Sequence, residues 1–371
     1  MHKKEPKILM SRRPGTLPPW KSWGIRCIGL LLSLIVCGFV IVAISGLNPI
    51  QVYATIFEGA FGTEKRSWVT IRDAMTMLCI AVGLAPAFKM RFWNIGAEGQ
   101  ILVGGIASAA CMIYIGNKIP NILLLLIMIV ASIVAGGIWG FLPGIFKAKW
   151  NTNETLFTLM MNYIAIQLTC FFVAKWENPY GSNSVGIINS DTKAGWLPSL
   201  FHDVPNRDFG WNVILVLLVT FIMYLYMNKS KHGYEISVIG DSENTARYAG
   251  IRVNKAYVRT IILSGAICGL AGFIAVSGAD HSISTSTAGG RGFTAIIVAW
   301  LAQFNSVVMV IFSFLIVFLE KGAQAIASQF NLNEMVSDII TGIILFFLLG
   351  SEFFVNYTIR LNKKSDDKKP Q

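Results

Sequence analysis

The chain has 371 residues, of which 54% are hydrophobic and only 14% are charged. Soluble domains carry about 25% charged residues, so this composition excludes an ordinary soluble globular protein. The formal net charge is +11, but the cations are scattered between apolar segments and form no patch interleaved with aromatic residues, which argues against nucleic-acid binding.

Apolar segments recur along the chain at or near the length of about 20 residues that a helix needs to cross the hydrocarbon core. We therefore predict an all-α polytopic membrane protein, because a transmembrane β-barrel would show short alternating strands instead. In chain order, the predicted spans are 26–47, 68–88, a run ending at Ile115, 121–145, 155–174, 211–228, 257–279, 293–319 and 335–350. Residues 50–62 fit a short amphipathic helix on the membrane surface.

Two of these spans carry residues that predict how they pack. The second span contains Arg72 and Asp73 one turn inside its start, where we expect the charges to reach back to the polar interface. The fourth span contains Gly136, Gly137 and Gly140, which would let a neighbouring helix approach closely.

The spans define one transmembrane domain at 26–356, between a cytoplasmic N-terminal segment at 1–25 and a basic cytoplasmic tail at 357–371. Two polar segments interrupt this domain. Loop 175–210 holds few cations, whereas loop 229–256 is basic. Because Lys and Arg accumulate on the cytoplasmic side, the first loop should lie outside the cell and the second inside.

Cytoplasmic N and C termini require an even number of crossings. If 293–319 is one helix, the count is about nine and the basic tail is exported. If it breaks near Gln303-Phe304-Asn305, the count is about ten. We predict about ten transmembrane or re-entrant helices, with 293–303 forming a short or re-entrant helix of the kind tolerated where it lines a cavity.

Two polar clusters lie inside or beside the spans. In the first, from Asn94 to Gln100, Glu98 opens a helix whose positive end favours an anion. The second runs from Gly289 to Gln303, where consecutive glycines next to Arg291 suit a turn that re-enters the bundle. Asp280, His281 and the Ser/Thr run just before it could hydrogen-bond a polar solute near the outer mouth. Two interpretations of each cluster are open. It is either ordinary helix packing or loop structure, because amides also hydrogen-bond helix to helix, or it is part of a solute path. The candidate solute contacts are Asn94, Glu98, Gln100, Asn162, Asp280, His281, Gln303 and Asn305.

Catalytic motifs are absent from the sequence, which has no GxxxxGK[ST], no GxSxG and no HExxH. The six cysteines form no CxxC pair and the four histidines are far apart, so we expect no metal site. The chain is therefore predicted not to be an enzyme. Transport against a gradient would need energy from a partner or from an ion.

Three motifs spread over 90–307 carry a family resemblance. They are MRFWNIGAEGQILVGG (90–105), ISVIGDSENTARYAGIRV (236–253) and GRGFTAIIVAWLAQFNSV (290–307). The first resembles the FNIGAEGQ signature of permease subunits of bacterial nucleoside-type ABC importers. The other two are similar to motifs of the wider branched-chain-amino-acid and ribose permease family. Within the third, Ala295 stands where Gly is usual and Trp300 where Ala or Leu is common.

This resemblance implies a subunit of an importer for nucleosides or related purine ligands in the bacterial plasma membrane. A cytoplasmic ABC ATPase would bind ATP and Mg and drive transport, so this chain itself would need no cofactor. A second permease subunit, which we expect to be a paralogue, would complete the pathway in the lipid bilayer. An extracellular solute-binding lipoprotein would deliver the solute.

The resemblance also assigns 236–253 to a short coupling helix that docks on the ATPase. Local signals agree, because Ser242 or Asp241 can cap a helix through about Tyr248, and Gly250 suits the position after its end. The residues expected to couple the two subunits are Gly240, Asp241, Glu243, Ala246, Arg247 and Gly250.

Three alternative functions compete with this one. A simple-sugar ABC permease would differ only in its solute, since a ribosyl group is common to both ligand classes. An ion-coupled secondary transporter would need intramembrane carboxylates, for which the sequence offers Glu98 and Asp338. An integral membrane enzyme is disfavoured by the missing catalytic motifs.

Overall fold

A computed structural model describes residues 8–12, 17–46, 48–200, 209–331 and 334–361. Parts of the predicted segments 1–25 and 175–210, and most of the predicted tail 357–371, lie outside these ranges.

Helices account for nearly all of the regular structure. They are α1 (Pro19–Ser45), α2 (Pro49–Phe61), α3 (Glu64–Lys89), α4 (Ala97–Ile115), α5 (Asn121–Trp150), α6 (Glu154–Lys175), α7 (Gly210–Lys229), α8 (Lys231–Asp241), α9 (Glu243–Tyr248), α10 (Val253–Ala275), α11 (Arg291–Leu301), α12 (Ser306–Gln329) and α13 (Glu334–Asn356). A π-helical turn, Val276–Asp280, continues α10. Within the described ranges, nine helices are long and apolar enough to cross a membrane, which confirms the predicted all-α polytopic fold.

The chain divides into two compact units. One unit contains α1, α13 and two strands, β1 (Ile8–Arg12) and β2 (Tyr357–Leu361), which pair antiparallel. A largely buried ion pair joins its two helices, with Nη2 of Arg26 3.0 Å from Oε2 of Glu352. Because β1 precedes α1 and β2 follows α13, their pairing places the start of α1 and the end of α13 at the same end of this unit.

The other unit spans residues 57–322 and is built around α10, which packs against α3, α4 and α5. Glycines bring α5 and α10 together until their backbones touch. A Cβ added at Gly136 would collide with the carbonyl oxygen of Gly265, and one at Gly140 with that of Ile261. The predicted close approach is confirmed at both positions, whereas Gly137 has ordinary packing distances.

A sharp break separates α11 from α12, as the sequence predicts. Gln303 and Phe304 both adopt left-handed backbone conformations, with φ angles of 49° and 60°. The Asn305 side chain then starts the next helix, because its Oδ1 accepts a hydrogen bond from the Val307 backbone N–H at 3.0 Å. The short helix expected at 293–303 is α11.

Helix α12 runs ten residues beyond the predicted end of its span at 319, to Gln329. The prediction was wrong because it took the polar residues after 319 as the end of the span. Lys321 is instead satisfied within the bundle, where its Nζ lies 2.7 Å from Oδ2 of Asp73. A charged residue with such a partner does not end a membrane helix.

Two neighbouring glycines of α5 offer a matched test of the backbone contact. Gly136→Ala should lower the melting temperature of the purified protein, because its methyl group meets the backbone of Gly265 and overpacking costs about 1–3 kcal/mol. Gly137→Ala should preserve or raise the melting temperature, since the nearest atom there is an Ile262 methyl at 3.6 Å. Both variants gain the same helix propensity. Equal melting temperatures for the two would contradict the packing described here.

Candidate functional site

The start of α4 lies deep inside the helical bundle. Asn94, just before α4, donates from its Nδ2 to the Ser264 hydroxyl at 3.1 Å. Ser264 lies near the middle of α10, so the N-terminus of α4 is at that same level. The first four backbone N–H groups of a helix have no hydrogen-bond partner within that helix. A helix that starts inside the bundle must therefore find acceptors for them among neighbouring groups.

Glu98 joins the N-termini of two helices. It lies in the first turn of α4, as the sequence predicts, but its side chain reaches across to the start of α11. Its Oε1 accepts from the Gly290 N–H at 2.7 Å and its Oε2 from the Gly292 N–H at 2.9 Å. A carboxylate is favoured at the positive end of a helix, and this one lies at two such ends. Both glycines are needed, because Gly290 has a φ of 74° and a Cβ at Gly292 would collide with Glu98.

A buried ionic cluster lies beside this contact, and the sequence did not predict it. Asp73 of α3 is 2% exposed and is contacted by three cations. Its carboxylate lies 2.8 Å from Arg72, 3.4 Å from Arg291 and 2.7 Å from Lys321. The expectation that Arg72 and Asp73 reach the polar interface is therefore wrong for Asp73. Its partners come from α11 and α12, which only the fold brings together, so no local signal could have found them.

Asp280 and His281 lie at the end of the π-helical turn. Asp280 is exposed and within electrostatic range of Arg72 and Arg291. The His281 ring stacks on Trp196 of the loop after α6, with centroids 3.7 Å apart and planes 4° from parallel. The two rings line a cavity of about 480 Å³ together with polar residues. These polar residues include Asn121, Thr192, Lys193 and Ser199.

The predicted amide contacts at the start of α4 bond to one another and to the backbone. Asn94 and Gln100 exchange two hydrogen bonds of 3.3 Å between their amides. Asn162 of α6 accepts from the Gly99 N–H and donates to the Ile95 carbonyl, both at 2.9 Å. All three amides are at most 3% exposed. They fix the turn that leads into α4, and their contact with solute stays a prediction.

An aromatic cluster covers the far end of α11. Trp300 stacks on Trp93 at a centroid distance of 5.6 Å and meets Phe88 edge-on at 6.4 Å. The two indoles are 40% and 44% exposed. Trp300 thus fills, with a stacked ring, the space that the smaller residue usual in this motif would leave. Gln303 and Asn305 follow it in the break before α12.

The predicted coupling segment folds as two helices. Helix α9 covers Glu243–Tyr248, with the Ser242 hydroxyl accepting from the Thr245 N–H at 3.2 Å. Gly250 follows with a φ of 76°, which confirms the expected cap and stop. Of the two predicted caps, Ser242 is the one used, and Asp241 is instead the last residue of α8. Helix α8 was not predicted, because its apolar face is short and lies within a polar segment.

The coupling segment has a buried side and an exposed side. On the buried side, Ile236, Ile239 and Ala246 join a core with the ends of α3 and α10. Gly240 packs so closely that a Cβ there would collide with the Lys89 carbonyl oxygen. On the exposed side are Asp241, Glu243, Arg247 and Tyr248, with an ion pair of 2.7 Å between Glu243 and Arg247. This arrangement holds the segment firmly to the bundle and leaves its outer face free.

The candidate site therefore consists of two internal helix starts joined by Glu98, an ionic cluster beside them, and a rigidly mounted helical segment at one end of the bundle. Among the described residues, no group of three or more His, Cys, Asp or Glu side chains could hold a metal ion.

Comparison with known proteins gives consistent matches over most of the chain. Residues 69–349 match the family described as branched-chain amino acid transport system / permease component. The guanosine ABC transporter permease protein NupP of Bacillus subtilis is 30% identical over 344 residues, which cover 92% of this chain and 97% of that protein. The nucleoside ABC transporter permease protein NupB of Lactococcus lactis is 28% identical, covering 85% and 89% of the two chains.

A sugar permease also matches. The glucose ABC transporter permease protein TsgB13 of Haloferax volcanii is 26% identical over 352 residues, which cover 93% of this chain and 91% of that protein. The family match and these relatives span most of the nine long apolar helices. The chain is a multi-pass membrane protein that belongs to the permease-component family of branched-chain amino acid transport systems.

Proposed function

We propose that this chain is the membrane-spanning permease subunit of an ABC importer that carries nucleosides into a bacterial cell. The observation that carries the proposal is the similarity, over 92% of the chain, to a relative named as a guanosine permease. A second relative is named as a nucleoside permease. The chain itself is a transport component, and ATP with Mg would be bound by a partner ATPase.

Simple sugars are the second candidate substrate, because a glucose permease matches 93% of the chain. Nucleosides are favoured by the NIGAEGQ segment, Asn94 to Gln100, which resembles the nucleoside branch. Binding of guanosine or of glucose to the importer's own solute-binding lipoprotein would separate the two candidates.

We further propose that both termini are cytoplasmic. The pairing of β1 with β2 supports an even number of crossings, because it places the segment before α1 and the segment after α13 on the same side. The nine long helices found in the described ranges then need one more crossing, for which the loop after Asp280 and the short helix α11 are available. The basic segment 229–256 would face the cytoplasm, where the ATPase is.

The solute path in this proposal follows the internal helix starts of α4 and α11. Broken helices in transporters place their N-termini near the middle of the membrane, at the substrate. The eight predicted path residues remain the candidates, with Glu98 acting by positioning α11. The partners are a cytoplasmic ABC ATPase, a second permease that we expect to be a paralogue, and an extracellular lipoprotein.

In the proposed mechanism, the ATPase moves the exposed face of α8 and α9, and the buried face passes this movement to the bundle. Gly240 and Ala246 form the tightest parts of that buried face. Tight packing of α8 and α9 on the bundle is required, because a loosely packed segment would move without displacing the membrane helices.

Uptake of labelled guanosine tests the function directly. Cells that express the complete importer should accumulate guanosine, and the uptake should disappear when the phosphate-binding lysine of the ATPase is replaced, because this chain has no P-loop of its own. Uptake that persists with the inactive ATPase, and that follows an ion gradient instead, would favour a secondary transporter.

Ala246→Leu should uncouple ATP hydrolysis from transport. Ala246 is fully buried on the inner face of α9, so a larger side chain there would push α9 away from the helices it packs against. We expect at least about a tenfold fall in guanosine uptake per ATP hydrolysed by the assembled importer, which corresponds to a loss of about 1.4 kcal/mol in coupling. Ala246→Ser, which adds a single oxygen, is the matched control and should retain most of the coupling. Normal coupling in Ala246→Leu would contradict the assigned role of α9.

Glu98→Gln should weaken the junction between α4 and α11. The amide offers one acceptor oxygen where two backbone N–H groups need one each, and hydrogen bonds to charged groups contribute about 1.5–3 kcal/mol. A lower melting temperature and slower guanosine uptake are expected together. The control is Glu58→Gln, which removes the same negative charge from an exposed side chain. Similar behaviour of the two variants would show that the Glu98 carboxylate is not needed.

A further inference from the structure

A groove opens between the ends of α5 and α10, next to the coupling segment. Its volume is about 490 Å³. The α5 wall includes Ile145, Ala148 and Lys149, and the α10 wall includes Lys255, Val258 and Ile262. The groove is therefore apolar along its length, with a lysine on each side.

Helix packing explains where the groove begins. At Gly136 and Gly140 the two helices touch through their backbones. By Gly144 a Cβ would lie 3.4 Å from the Val258 Cα, an ordinary contact distance. Beyond that point α5 has no further glycine, and Ile145 and Val258 line the groove. The groove lies between the C-terminal end of α5 and the N-terminal end of α10. The ends of membrane helices are where the chain meets the lipid headgroups.

The charges at this opening are unevenly balanced. Arg259, also on the groove wall, is paired with Glu235 at 2.9 Å, and nearby Lys147 is paired with Glu154 at 3.0 Å. In the described part of the chain, neither Lys149 nor Lys255 has an acidic side chain within 4.0 Å. Both are exposed. Two uncompensated cations thus flank an apolar channel.

The position of the groove matches that of a membrane interface. Helix α5 ends at Trp150, which is 62% exposed, and α10 begins at Val253, two residues before the groove residue Lys255. Tryptophan is enriched at the level of the lipid headgroups. The lysines therefore lie at headgroup level, and the apolar wall of Val258 and Ile262 extends toward the hydrocarbon.

We propose that this groove binds an anionic phospholipid, with the headgroup phosphate between Lys149 and Lys255 and an acyl chain along Ile145, Val258 and Ile262. Basic pockets between membrane helices bind anionic headgroups in this way. A zwitterionic lipid would fill the apolar wall but leave the two cations without a net counter-charge. A soluble phosphate would meet the cations but leave the apolar wall empty. Because the groove lies next to the coupling segment, the proposed function places this lipid in the cytoplasmic leaflet, and only that placement rests on the proposed function.

The test is lipid retention by the purified full-length chain, counted by native mass spectrometry. Dioleoyl phosphatidylglycerol and dioleoyl phosphatidylcholine are supplied in equal amounts. Each lysine near an anionic headgroup contributes about fivefold, so Lys149→Gln with Lys255→Gln should lower phosphatidylglycerol retention about 25-fold. Phosphatidylcholine retention should stay within about twofold of the wild-type value, because that lipid carries no net charge for the lysines to attract.

Two controls separate this site from general attraction by basic residues. Lys229→Gln with Lys231→Gln removes the same charge from exposed positions outside the groove lining and should keep phosphatidylglycerol retention within about twofold of wild type. Ala148→Phe fills the apolar wall with both lysines in place and should lower retention as well.

Equal losses in the two double-lysine variants would overturn the proposal, as would unchanged retention in Ala148→Phe. Loss of a second copy of this chain from the Ala148→Phe sample, with lipid retention intact, would overturn the proposal and mean that the groove is a protein contact. Because retention is measured without ATPase or solute, failure of nucleoside transport would leave this result unaffected.

Discussion

One carboxylate lies where two helices begin inside the bundle, and the arrangement of the interior depends on it. The starts of α4 and α11 both carry unpaired N–H groups and the positive ends of helix dipoles, which would repel each other without an anion between them. Glu98 supplies that anion and bonds Gly290 and Gly292. Arg291, held between these two glycines, then pairs with Asp73, which also binds Lys321. A single polar junction therefore connects α3, α4, α11 and α12.

The two parts of the interior are held by different forces. Helices α5 and α10 touch through glycine backbones, a contact that depends on close approach and has no alternative partner nearby. The start of α11 is held by hydrogen bonds and ion pairs, and a movement that exchanges these for other polar partners would keep the buried charges satisfied. If the permease changes shape during transport, the glycine contact is suited to remain fixed and the polar junction to rearrange. Broken helices near a substrate path commonly serve this second role.

Much of the fold follows from local sequence signals, and the exceptions have a common cause. Apolar length located the long helices, and the polar break at Gln303 and the Ser242 cap located α11 and α9. The failures are charged residues whose partners are distant in the chain. Asp73 was expected at the interface and α12 was ended too early, both because nothing near Asp73 in sequence indicates Lys321. Glu98 was placed correctly at a helix start, but its second helix could not be inferred without the fold.

The close contact between Gly240 and the Lys89 carbonyl oxygen also limits how far the coupling segment can move without displacing the end of α3. Lys89 ends α3, and only residues 90–96 separate it from the start of α4. Seven residues reach at most about 25 Å when fully extended, and here they are folded by the Asn94 and Asn162 bonds. A displacement of α8 that pushes on Lys89 would therefore be transmitted to Glu98 through only a few residues, which are held in place by hydrogen bonds. Residues 90–96 therefore form a short, stiff connection between the coupling segment and the start of α4, a mechanical role separate from any contact with solute.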